Sequence, residues 1–564
     1  MTALIVWGGC SKAKLDQRSG NQPTTSVLTS STVRLVNLGG FTDMAINGAR
    51  LTSFTPPLPD GTRYPYPTPY FPATGVLGTT YYIPKQFLDA NDSARIQLMQ
   101  LFILGAGNFI DSTYSFGVKE NYNHPKDYYW VYSRTAAFPY SMSYYDSLYV
   151  IPRAVSPATD PTHILVRLVN FSSAPDDANL TGPMSLTFAD GSPVSVSTSQ
   201  VAPGKYSEYV ELPYGAYQFK VLTATNAQVP GAPVNMLTNI ITDNLNTAVM
   251  QGMGVTYAPV QTFKPGGVYS IVVSVNHHFE YPSGGAGETV KKDHNAWSVI
   301  TDVAPPVNLT YARIQAANAV PGGALNILVD GAVLARGLAY DSAGNYQTFV
   351  TGTHRVSIED GNGKELAGRQ LELQPNTNFT VWAFPSGGGV DLLPVQNNLS
   401  GSRNASFNGD GSDTGPTTMY TGLPYMVRFL NFCPDLPYVT FTQADGALFT
   451  DNALSTALAA QNLPFGSNLS SSQVPFPYVS YNINGGISPQ IQVYHSQPSI
   501  VPGDWLSDIS ALKQTDFITM PAADYPAGLP TGEPGIYTVA LTGRRGVHVP
   551  AGQETKLIIV KHNK

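Results

Sequence analysis

Short runs in which apolar and polar residues alternate fill most of this chain, and turn-forming residues separate them. Residues 214–221 (YGAYQFKV) and 352–366 (GTHRVSIEDGNGKEL) show this pattern well, and a period of two is typical of strands that bury one face. Glycine and proline are frequent, with 52 and 45 copies, and they interrupt the runs at the short intervals that all-β proteins show. The sequence therefore predicts an all-β fold.

One strand sequence recurs four times, at intervals that each equal the length of a domain. Val-Arg-Leu-Val-Asn, or a variant of it, occupies residues 33–37, 166–170, 312–318 and 427–431. An Asn-Gly or Asp-Gly pair follows each copy, at 47–48, 190–191, 330–331 and 445–446. Because such pairs favour the positive φ angles of two-residue hairpin turns, each repeat is predicted to begin with a strand and to turn back as a hairpin.

These repeats predict about four tandem β domains, of which the first and the fourth carry long insertions. We place the domains at residues 31–162, 163–305, 306–397 and 421–564. Residues 11–30 and 398–420 contain few apolar side chains, so we predict a flexible tether and a polar linker there. Residues 1–10 are predicted to be a truncated lipoprotein signal.

The third repeat resembles a known family. Residues 311–398 contain, in the family's order, the arginine strand, a Val-Asp-Gly turn, and the segments GLAYDSAGNY, GTHRVSIED and NFTVWAFPSGGGVDLLP. This segment resembles the domain-of-unknown-function family numbered 4397, which occurs in bacterial surface lipoproteins, often of Bacteroidota. The second repeat is a fair match, and the first and fourth match only at their ends. The resemblance implies a small β-sandwich in each repeat, so the fold class that we expect is all-β with tandem β-sandwich domains of immunoglobulin-like type, and it carries no catalytic residues.

The N-terminal segment predicts a lipid anchor. Cys10 follows the apolar run LIVWGG at residues 4–9 and precedes a polar tail, which resembles the end of a bacterial lipoprotein signal. Trp7 departs from the usual leucine, and the alternative is a plain first strand with a buried thiol. We expect anchoring at the outer membrane, on its cell-surface or periplasmic face. Cys433, the second of two cysteines, is expected to be a small buried thiol.

The composition and motifs favour binding over catalysis. The net charge of -7 gives no electrostatic footprint for nucleic acid, and the chain has neither a Gly-x-Ser-x-Gly elbow nor a Walker loop. We therefore expect no enzyme activity and no cofactor. His278, Glu280 and His294 could hold a divalent ion, although a solvated hairpin end is the commoner interpretation of such a cluster.

The credible binding residues are aromatic. The insert RYPYPTPYF contains Arg63, Tyr64, Tyr66 and Tyr70, and a polyproline-like conformation would place Tyr64 and Tyr70 on one face. A second cluster contributes Tyr122, His124, Tyr128 and Trp130. The alternative is that all these rings cover the core of the first repeat. The repeated arginines 34, 167, 313 and 428 are expected to be structural, lying over aromatic faces or binding carbonyls between strands.

The resemblance to Bacteroidota proteins also implies O-glycosylation at Asp-Ser pairs followed by an apolar residue or threonine. Four serines meet this pattern, although Asp-Ser is also a common turn pair: Ser93, Ser112, Ser147 and Ser342. Taken together, the sequence predicts a non-enzymatic, lipid-anchored cell-surface protein that captures glycan or docks to an outer-membrane partner. The alternative is a structural scaffold or adhesin. Glycan capture requires exposed rings with polar neighbours, and a scaffold requires rigid interfaces between domains.

The lipid anchor can be tested directly. Cys10→Ser removes the acceptor thiol, so the protein should move from the membrane fraction to the soluble fraction. Each buried methylene of an acyl chain gives about 0.8 kcal/mol, so two or three chains hold a protein stably. Fractionation and blotting measure the change, with Cys433→Ser as the matched control that stays with membranes. A Cys10→Ser variant that still pellets would contradict the prediction.

Overall fold

A computed structural model describes most of the chain. The described residues are 30–39, 41, 43–53, 66–104, 108–134, 144–173, 180–229, 231, 260–282, 289–399, 424–449, 453–471, 474–482, 490–519 and 535–564. Within them, side chains are described except at 100–104, 108–112, 132–134, 144–146, 276–282, 289–294, 424–425, 453–456, 480–482 and 514. The chain divides into two compact units, of which the first is Met1–Trp130 with Val150–Pro152 and the second is Val131–Tyr149 with Arg153–Lys564.

The N-terminal part is a sandwich of two sheets. Its strands are β1 (Ser30–Asn37), β2 (Asp43–Ile46), β3 (Ala49–Arg50), β4 (Thr80–Pro84), β5 (Ser93–Leu104), β6 (Asn108–Lys119), β7 (Lys126–Arg134) and β8 (Tyr144–Pro152). One sheet has the order β4-β1-β7-β8 and the other the order β3-β2-β5-β6.

The next segment forms the second sandwich. Its strands are β9 (His163–Asn170), β10 (Met184–Thr187), β11 (Lys205–Tyr206), β12 (Val210–Pro213), β13 (Gly215–Tyr217), β14 (Lys220–Thr223), β15 (Gln228–Val229), β16 (Gln261–Phe263), β17 (Val268–Pro282) and β18 (Thr289–Val303). The main sheet has the order β11-β9-β17-β18, with β12 also pairing with β9, and smaller sheets are β10-β14-β15 and β13-β16.

The third sandwich is the most regular. Its strands are β19 (Tyr311–Asn318), β20 (Leu325–Val329), β21 (Ala332–Leu338), β22 (Gln347–Val350), β23 (Gly352–Glu359), β24 (Glu365–Leu373), β25 (Asn378–Ser386) and β26 (Gly389–Gln396). They form two four-stranded sheets, β22-β19-β25-β26 and β21-β20-β23-β24.

The fourth sandwich has the same two-sheet plan. Its strands are β27 (Pro424–Asn431), β28 (Tyr438–Thr442), β29 (Leu463–Pro464), β30 (Val479–Asn482), β31 (Gln492–Gln497), β32 (Ile500–Trp505), β33 (Gly535–Thr542) and β34 (Lys556–Lys561), with helix α1 (Ala453–Ala460) between β28 and β29. The sheets are β30-β27-β33-β34 and β29-β28-β31-β32. No helix among the described residues is long and apolar enough to cross a bilayer.

The recurring arginine strand has the same place in every sandwich. It is β1, β9, β19 and β27, and it pairs in parallel with β7, β17, β25 and β33 respectively. The all-β, tandem-sandwich prediction is therefore confirmed. The segment 214–221 departs from the predicted half-buried strand, because it is divided between β13 and β14 and its polar residues Gln218 and Lys220 are buried as well.

Two of the four predicted turns join two strands as hairpins. Asn47-Gly48 joins β2 to β3 and Asp330-Gly331 joins β20 to β21, with positive φ at all four residues. At 190–191 the chain also turns back after β10, with an antiparallel bridge between Thr187 and Pro193, but it forms no second strand there. The prediction is wrong for 445–446, which lies in a short 3-10 turn that precedes α1. The chain that follows the dipeptide therefore decides whether a second strand forms.

Cys433 lies in the core of the fourth sandwich, as predicted. Its side chain is fully buried, beside Leu436, Leu541 and other apolar residues of that core. Burial raises the pKa of the Cys433 thiol, which keeps it protonated and unreactive at neutral pH.

The first arginine is neutralised within its own sheet. Arg34 and Asp127 lie opposite each other on β1 and β7, and both are buried. The Arg34 Nε donates to Asp127 Oδ1 over 2.9 Å, and Nη2 donates to Oδ2. This two-point ion pair was not anticipated, because the sequence does not reveal which residue of β7 faces Arg34.

Breaking that pair should be costly. In Asp127→Asn the buried guanidinium loses its counter-charge, and removing one partner of a buried pair typically costs about 3–5 kcal/mol. Urea unfolding should measure a loss of this order. The matched control is Glu365→Gln, which breaks the exposed pair with Arg355 and should cost less than about 1 kcal/mol. Equal losses in the two variants would contradict the argument.

Candidate functional site

The predicted binding residues of the insert are only partly within the described chain. Arg63 and Tyr64 lie outside the described residues, as does the predicted lipidation site Cys10. Tyr66 is 55% exposed. Tyr70 is half-buried, with its ring 5.5 Å from the ring of Phe87.

Tyr70 belongs to a small surface group that we call the aromatic patch: Tyr70, Lys85, Gln86, Phe87 and Tyr122. Of its three rings, Tyr122 is exposed and the other two are half-buried, and the 3-10 turn Lys85–Phe87 supplies one ring and both polar side chains. Gln86 Nε2 donates to the Tyr70 hydroxyl over 3.3 Å, and Lys85 Nζ lies 5.2 Å from the centre of the Tyr122 ring. The patch therefore combines rings with polar groups, although the Tyr70 and Phe87 ring planes are inclined by 53°.

The second predicted aromatic cluster is divided between surface and core. Tyr122 and His124 are exposed. Tyr128 and Trp130 are buried, and the Trp130 ring packs on Tyr114 and Phe116. Their alternation along β7 places them on the inner face, so a binding role for these two rings was the wrong interpretation.

The remaining predicted sites stay predictions. His278, Glu280 and His294 lie on β17 and β18, at positions whose side chains are outside the described set. Among described side chains, no three His, Cys, Asp or Glu residues lie close enough to bind a metal ion. The candidate serines Ser93, Ser147 and Ser342 are half-buried, and the side chain of Ser112 is not among those described.

The most developed polar site lies where the second, third and fourth sandwiches meet. We call it the junction, and define it by His562–Lys564, which follow β34, and the residues that they and Arg428 contact. The His562 ring is buried. Its Nε2 lies 2.7 Å from Thr538 Oγ1 of its own sandwich, and its Nδ1 lies 3.1 Å from Gln315 Oε1 of the third sandwich.

The proton on His562 can be assigned from its neighbours. The Gln315 Nε2 donates to the carbonyl of Gly344 over 2.8 Å, so its Oε1 faces the histidine and can only accept. Nδ1 of His562 therefore carries the hydrogen, and Nε2 accepts from the Thr538 hydroxyl. A neutral ring satisfies both contacts.

Further hydrogen bonds extend this contact through the third sandwich. The Thr380 hydroxyl donates to Gln315 Oε1 over 3.0 Å, and Asn397 Nδ2 donates to Thr380 Oγ1 over 2.8 Å. Asn397 Nδ2 also donates to the Tyr346 hydroxyl over 2.9 Å. Gln315, Thr380 and Asn397 are buried and Tyr346 is half-buried, so most of this network lies away from bulk water.

The two residues after His562 bind the second sandwich. The Gln218 backbone N–H donates to the Lys564 carbonyl over 2.7 Å, and the Lys564 N–H donates to the Ala216 carbonyl over 3.2 Å. Asn563 Nδ2 donates to Gln218 Oε1 over 3.1 Å. Residues 562–564 of the fourth sandwich are thus linked to the second sandwich by backbone hydrogen bonds.

Two of the repeated arginines also connect neighbouring sandwiches. Arg313 donates to the Tyr214 carbonyl over 3.4 Å, and its guanidinium lies 5.1 Å from the Tyr214 ring. Arg428 donates to the Gln396 carbonyl over 2.8 Å and lies 4.8 Å from the Tyr478 ring. The predicted structural role, over aromatic faces and on carbonyls, is confirmed for both. It is also confirmed for Arg167, which lies 4.5 Å from the ring of Tyr209.

Apolar side chains complete the contact between the third and fourth sandwiches. We call this cluster the apolar seam: Ala317, Ala319, Trp382, Phe384, Val395, Leu430, Phe432, Ala540, Ile558 and Val560. The Trp382 and Phe432 rings are 5.2 Å apart. Asn398 and Leu399, the first residues of the predicted linker, are also buried. Leu399 packs in a cluster with Ala216 and Met426.

The site was missed at the sequence level because its members are far apart in the chain and individually ordinary. Gln315, Thr380 and Asn397 resemble any polar strand residues, and His562 follows an apolar strand without a motif. The one available signal was the repeated arginine, which the sequence marked at positions 313 and 428.

Comparison with known proteins identifies one segment. Residues 312–407 match the family DUF4397, a domain of unknown function. The match begins in β19 and includes β26, so it confirms the resemblance for the third repeat. No curated protein matches the chain.

Two solved structures show only distant likenesses. The Bacillus anthracis TIE protein is 8% identical over 84% of this chain and 66% of its own length, with a TM-score of 0.11. A candidate cell adhesion protein of Bacteroides fragilis NCTC 9343 is 11% identical over 66% of this chain and 99% of its own, with a TM-score of 0.13. Scores this low support no argument about fold or function.

The buried histidine predicts a pH dependence of stability. Burial, together with the charge of Arg428, lowers the pKa of His562 to about 3, whereas an unfolded histidine titrates near 6.5. Between these values the unfolded chain binds a proton that the folded protein does not. The free energy of unfolding should therefore fall as pH drops below about 6.5, by up to about 1.4 kcal/mol per pH unit for this one group.

The variant His562→Gln removes this contribution, so its unfolding free energy should depend less steeply on pH than the parent's. Urea unfolding at a series of pH values measures the difference. His548→Gln, at an exposed histidine, is the matched control and should keep the parent's slope. An unchanged slope in His562→Gln would show that the histidine is not buried in its neutral form.

Proposed function

We propose that this protein is a non-enzymatic surface protein that acts as a rigid scaffold or adhesin, held at the outer membrane by lipid on Cys10. The observation that carries this proposal is the junction. A scaffold must hold its domains in a fixed relation, since a flexibly linked chain of sandwiches could not project a surface in one direction. Three sandwiches that share a buried interface meet that requirement.

The junction resists bending because it combines contacts of different kinds. The apolar seam favours association but is non-directional. The hydrogen bond between His562 and Gln315 is directional and joins the fourth sandwich to the third. The backbone pairing of Lys564 with Ala216 and Gln218 connects the fourth sandwich to the second as well. Rotation of one sandwich against the others would separate buried donors from their acceptors, at about 1–3 kcal/mol for each group left unsatisfied.

The perturbed titratable groups in this region support a structural rather than a catalytic role. Burial raises the pKa of Tyr346 and of Tyr214 to about 12, so both remain protonated. Tyr346 accepts from Asn397, and Tyr214 binds Arg313 through its carbonyl and its ring. Groups held in one protonation state with fixed partners brace an interface and do not transfer protons.

The other three sandwiches are proposed to be divergent copies of the family that the third one matches. Each contains the arginine strand, and each pairs it in parallel with the first strand of its C-terminal hairpin. The same proposal places the protein among Bacteroidota surface lipoproteins, with a membrane contact through the N-terminal lipid and no nucleic-acid partner.

Glycan capture is the second candidate function, and the aromatic patch favours it. The exposed ring of Tyr122 and the half-buried rings of Tyr70 and Phe87 could stack on a sugar, and Lys85 and Gln86 could hydrogen-bond its hydroxyls. The inclined ring planes of Tyr70 and Phe87 weigh against a flat stacking platform, which is why the scaffold is preferred.

Distance measurements between domains test the scaffold. Spin labels at Val196→Cys and Val547→Cys, two highly exposed positions in the second and fourth sandwiches, should give one narrow distance distribution in a Cys10→Ser background. Deleting His562–Lys564 should broaden it, because the backbone link to the second sandwich is lost. Pulsed electron spin resonance makes the measurement.

A pair of labels within the fourth sandwich, Ser499→Cys with Val547→Cys, is the matched control and should stay narrow in the deletion variant. A broad distribution in the parent would contradict the scaffold. Glycan-array binding that is lost in Tyr66→Ala with Tyr70→Ala, while the narrow distribution is kept, would instead support capture at the insert.

A further inference from the structure

The residue that faces the repeated arginine differs in every sandwich. The parallel register places Asp127 opposite Arg34 and Ser270 opposite Arg167. It places Asn378 opposite Arg313 and Thr538 opposite Arg428, in the third and fourth sandwiches. One structural position therefore holds four different acceptors, and only the first is a carboxylate.

In three sandwiches the facing residue accepts from the arginine Nε. The distances from Nε are 2.9 Å to Asp127 Oδ1, 2.8 Å to Ser270 Oγ and 2.8 Å to Asn378 Oδ1. In the second sandwich Asp302 supplies the negative charge, with its Oδ2 3.9 Å from Arg167 Nη2. The facing residue is thus the normal acceptor for this edge of the guanidinium.

Arg428 is the exception. Thr538, which faces it, is hydrogen-bonded to His562 instead. Arg428 Nη1 donates to the Gln396 carbonyl and, over 3.2 Å, to Asn397 Oδ1. Its Nε and Nη2 are buried, and among the described residues neither an acceptor nor a carboxylate pairs with them. The side chain is 1% exposed, and a guanidinium stays charged in a protein.

We propose that the Nε and Nη2 edge of Arg428 binds a compact, singly charged anion at the seam between the third and fourth sandwiches. This edge presents two parallel N–H groups, and the same edge of Arg34 binds both oxygens of Asp127. Chloride or formate fits two such donors. The anion accepts the hydrogen bonds of Arg428 in the fourth sandwich, as Asp127 accepts those of Arg34 in the first. The inference concerns an ion within the fold and does not depend on the proposed function.

The chemistry of the surroundings selects a small, weakly basic ligand. The neutral His562 and the Thr538 hydroxyl provide no second positive charge, so a doubly charged anion would leave an uncompensated charge in a buried place. The ring of Tyr478 covers one face of the Arg428 guanidinium. A ligand therefore approaches in the guanidinium plane, at the edge formed by Nε and Nη2.

Thermal unfolding in three sodium salts tests the site. At constant ionic strength, replacing sodium gluconate with sodium chloride should raise the Tm by a few degrees and then saturate, because an anion that binds only the folded state stabilises it by mass action. Formate should act like chloride. Electrostatic screening is the same in all three salts at equal ionic strength, so an equal Tm in all three would overturn the proposal.

The variant Thr538→Asp separates this site from general salt effects. It supplies the missing carboxylate from the protein, as Asp127 does for Arg34, so its Tm should no longer respond to chloride. Ser499→Asp adds the same charge at an exposed position of the same sandwich and should respond as the parent does. Equal chloride responses in the two variants would overturn the proposal.

A direct observation decides the matter even if Thr538→Asp does not fold. Crystals of the full chain grown in sodium bromide should show an anomalous peak within hydrogen-bonding distance of Arg428 Nε and Nη2. A water molecule at that position, with no anomalous signal, would show that the guanidinium is hydrated and would overturn the anion site.

Discussion

A buried positive charge in the first strand of each sandwich is the constraint on which the architecture depends. An arginine cannot lose its proton inside a protein, and a buried donor left without an acceptor costs about 1–3 kcal/mol. Arg34 meets this constraint with Asp127, within its own sheet. Arg167 meets it with Ser270 and Asp302, also within its own sandwich.

The last two arginines find acceptors across domain boundaries, although for Arg428 this satisfies only Nη1. Arg313 reaches the Tyr214 carbonyl of the second sandwich, and Arg428 reaches Gln396 and Asn397 at the end of the third. Once the facing residue is Asn or Thr instead of Asp, the acceptors must come from elsewhere. The same side chain that braces one sheet in the first repeat therefore ties neighbouring sandwiches together in the later ones.

The parts of this structure that follow local rules could be predicted, and the parts that depend on distant pairing could not. Alternation correctly indicated a strand at the start of 352–366, where Gly352–Glu359 forms β23, and Asp330-Gly331 correctly gave a hairpin. The junction combines Gln315 with His562, which are separated by 247 positions, and nothing local to either residue indicates the other. Tyr128 and Trp130 show the same limit, because both faces of β7 are buried from 127 to 131 and the sequence alone does not show what covers them.

Apolar burial and polar pairing have different roles where the third and fourth sandwiches meet. The apolar seam around Trp382 and Phe432 would stabilise many relative orientations, because the gain follows the area removed from water. A rotated arrangement that buried the same area would still separate His562 from Gln315 and Arg428 from Gln396. Each separation leaves a buried donor or acceptor unsatisfied, so such arrangements lose several kcal/mol relative to the native one. The seam therefore makes association favourable, and the polar network selects the single orientation in which it occurs.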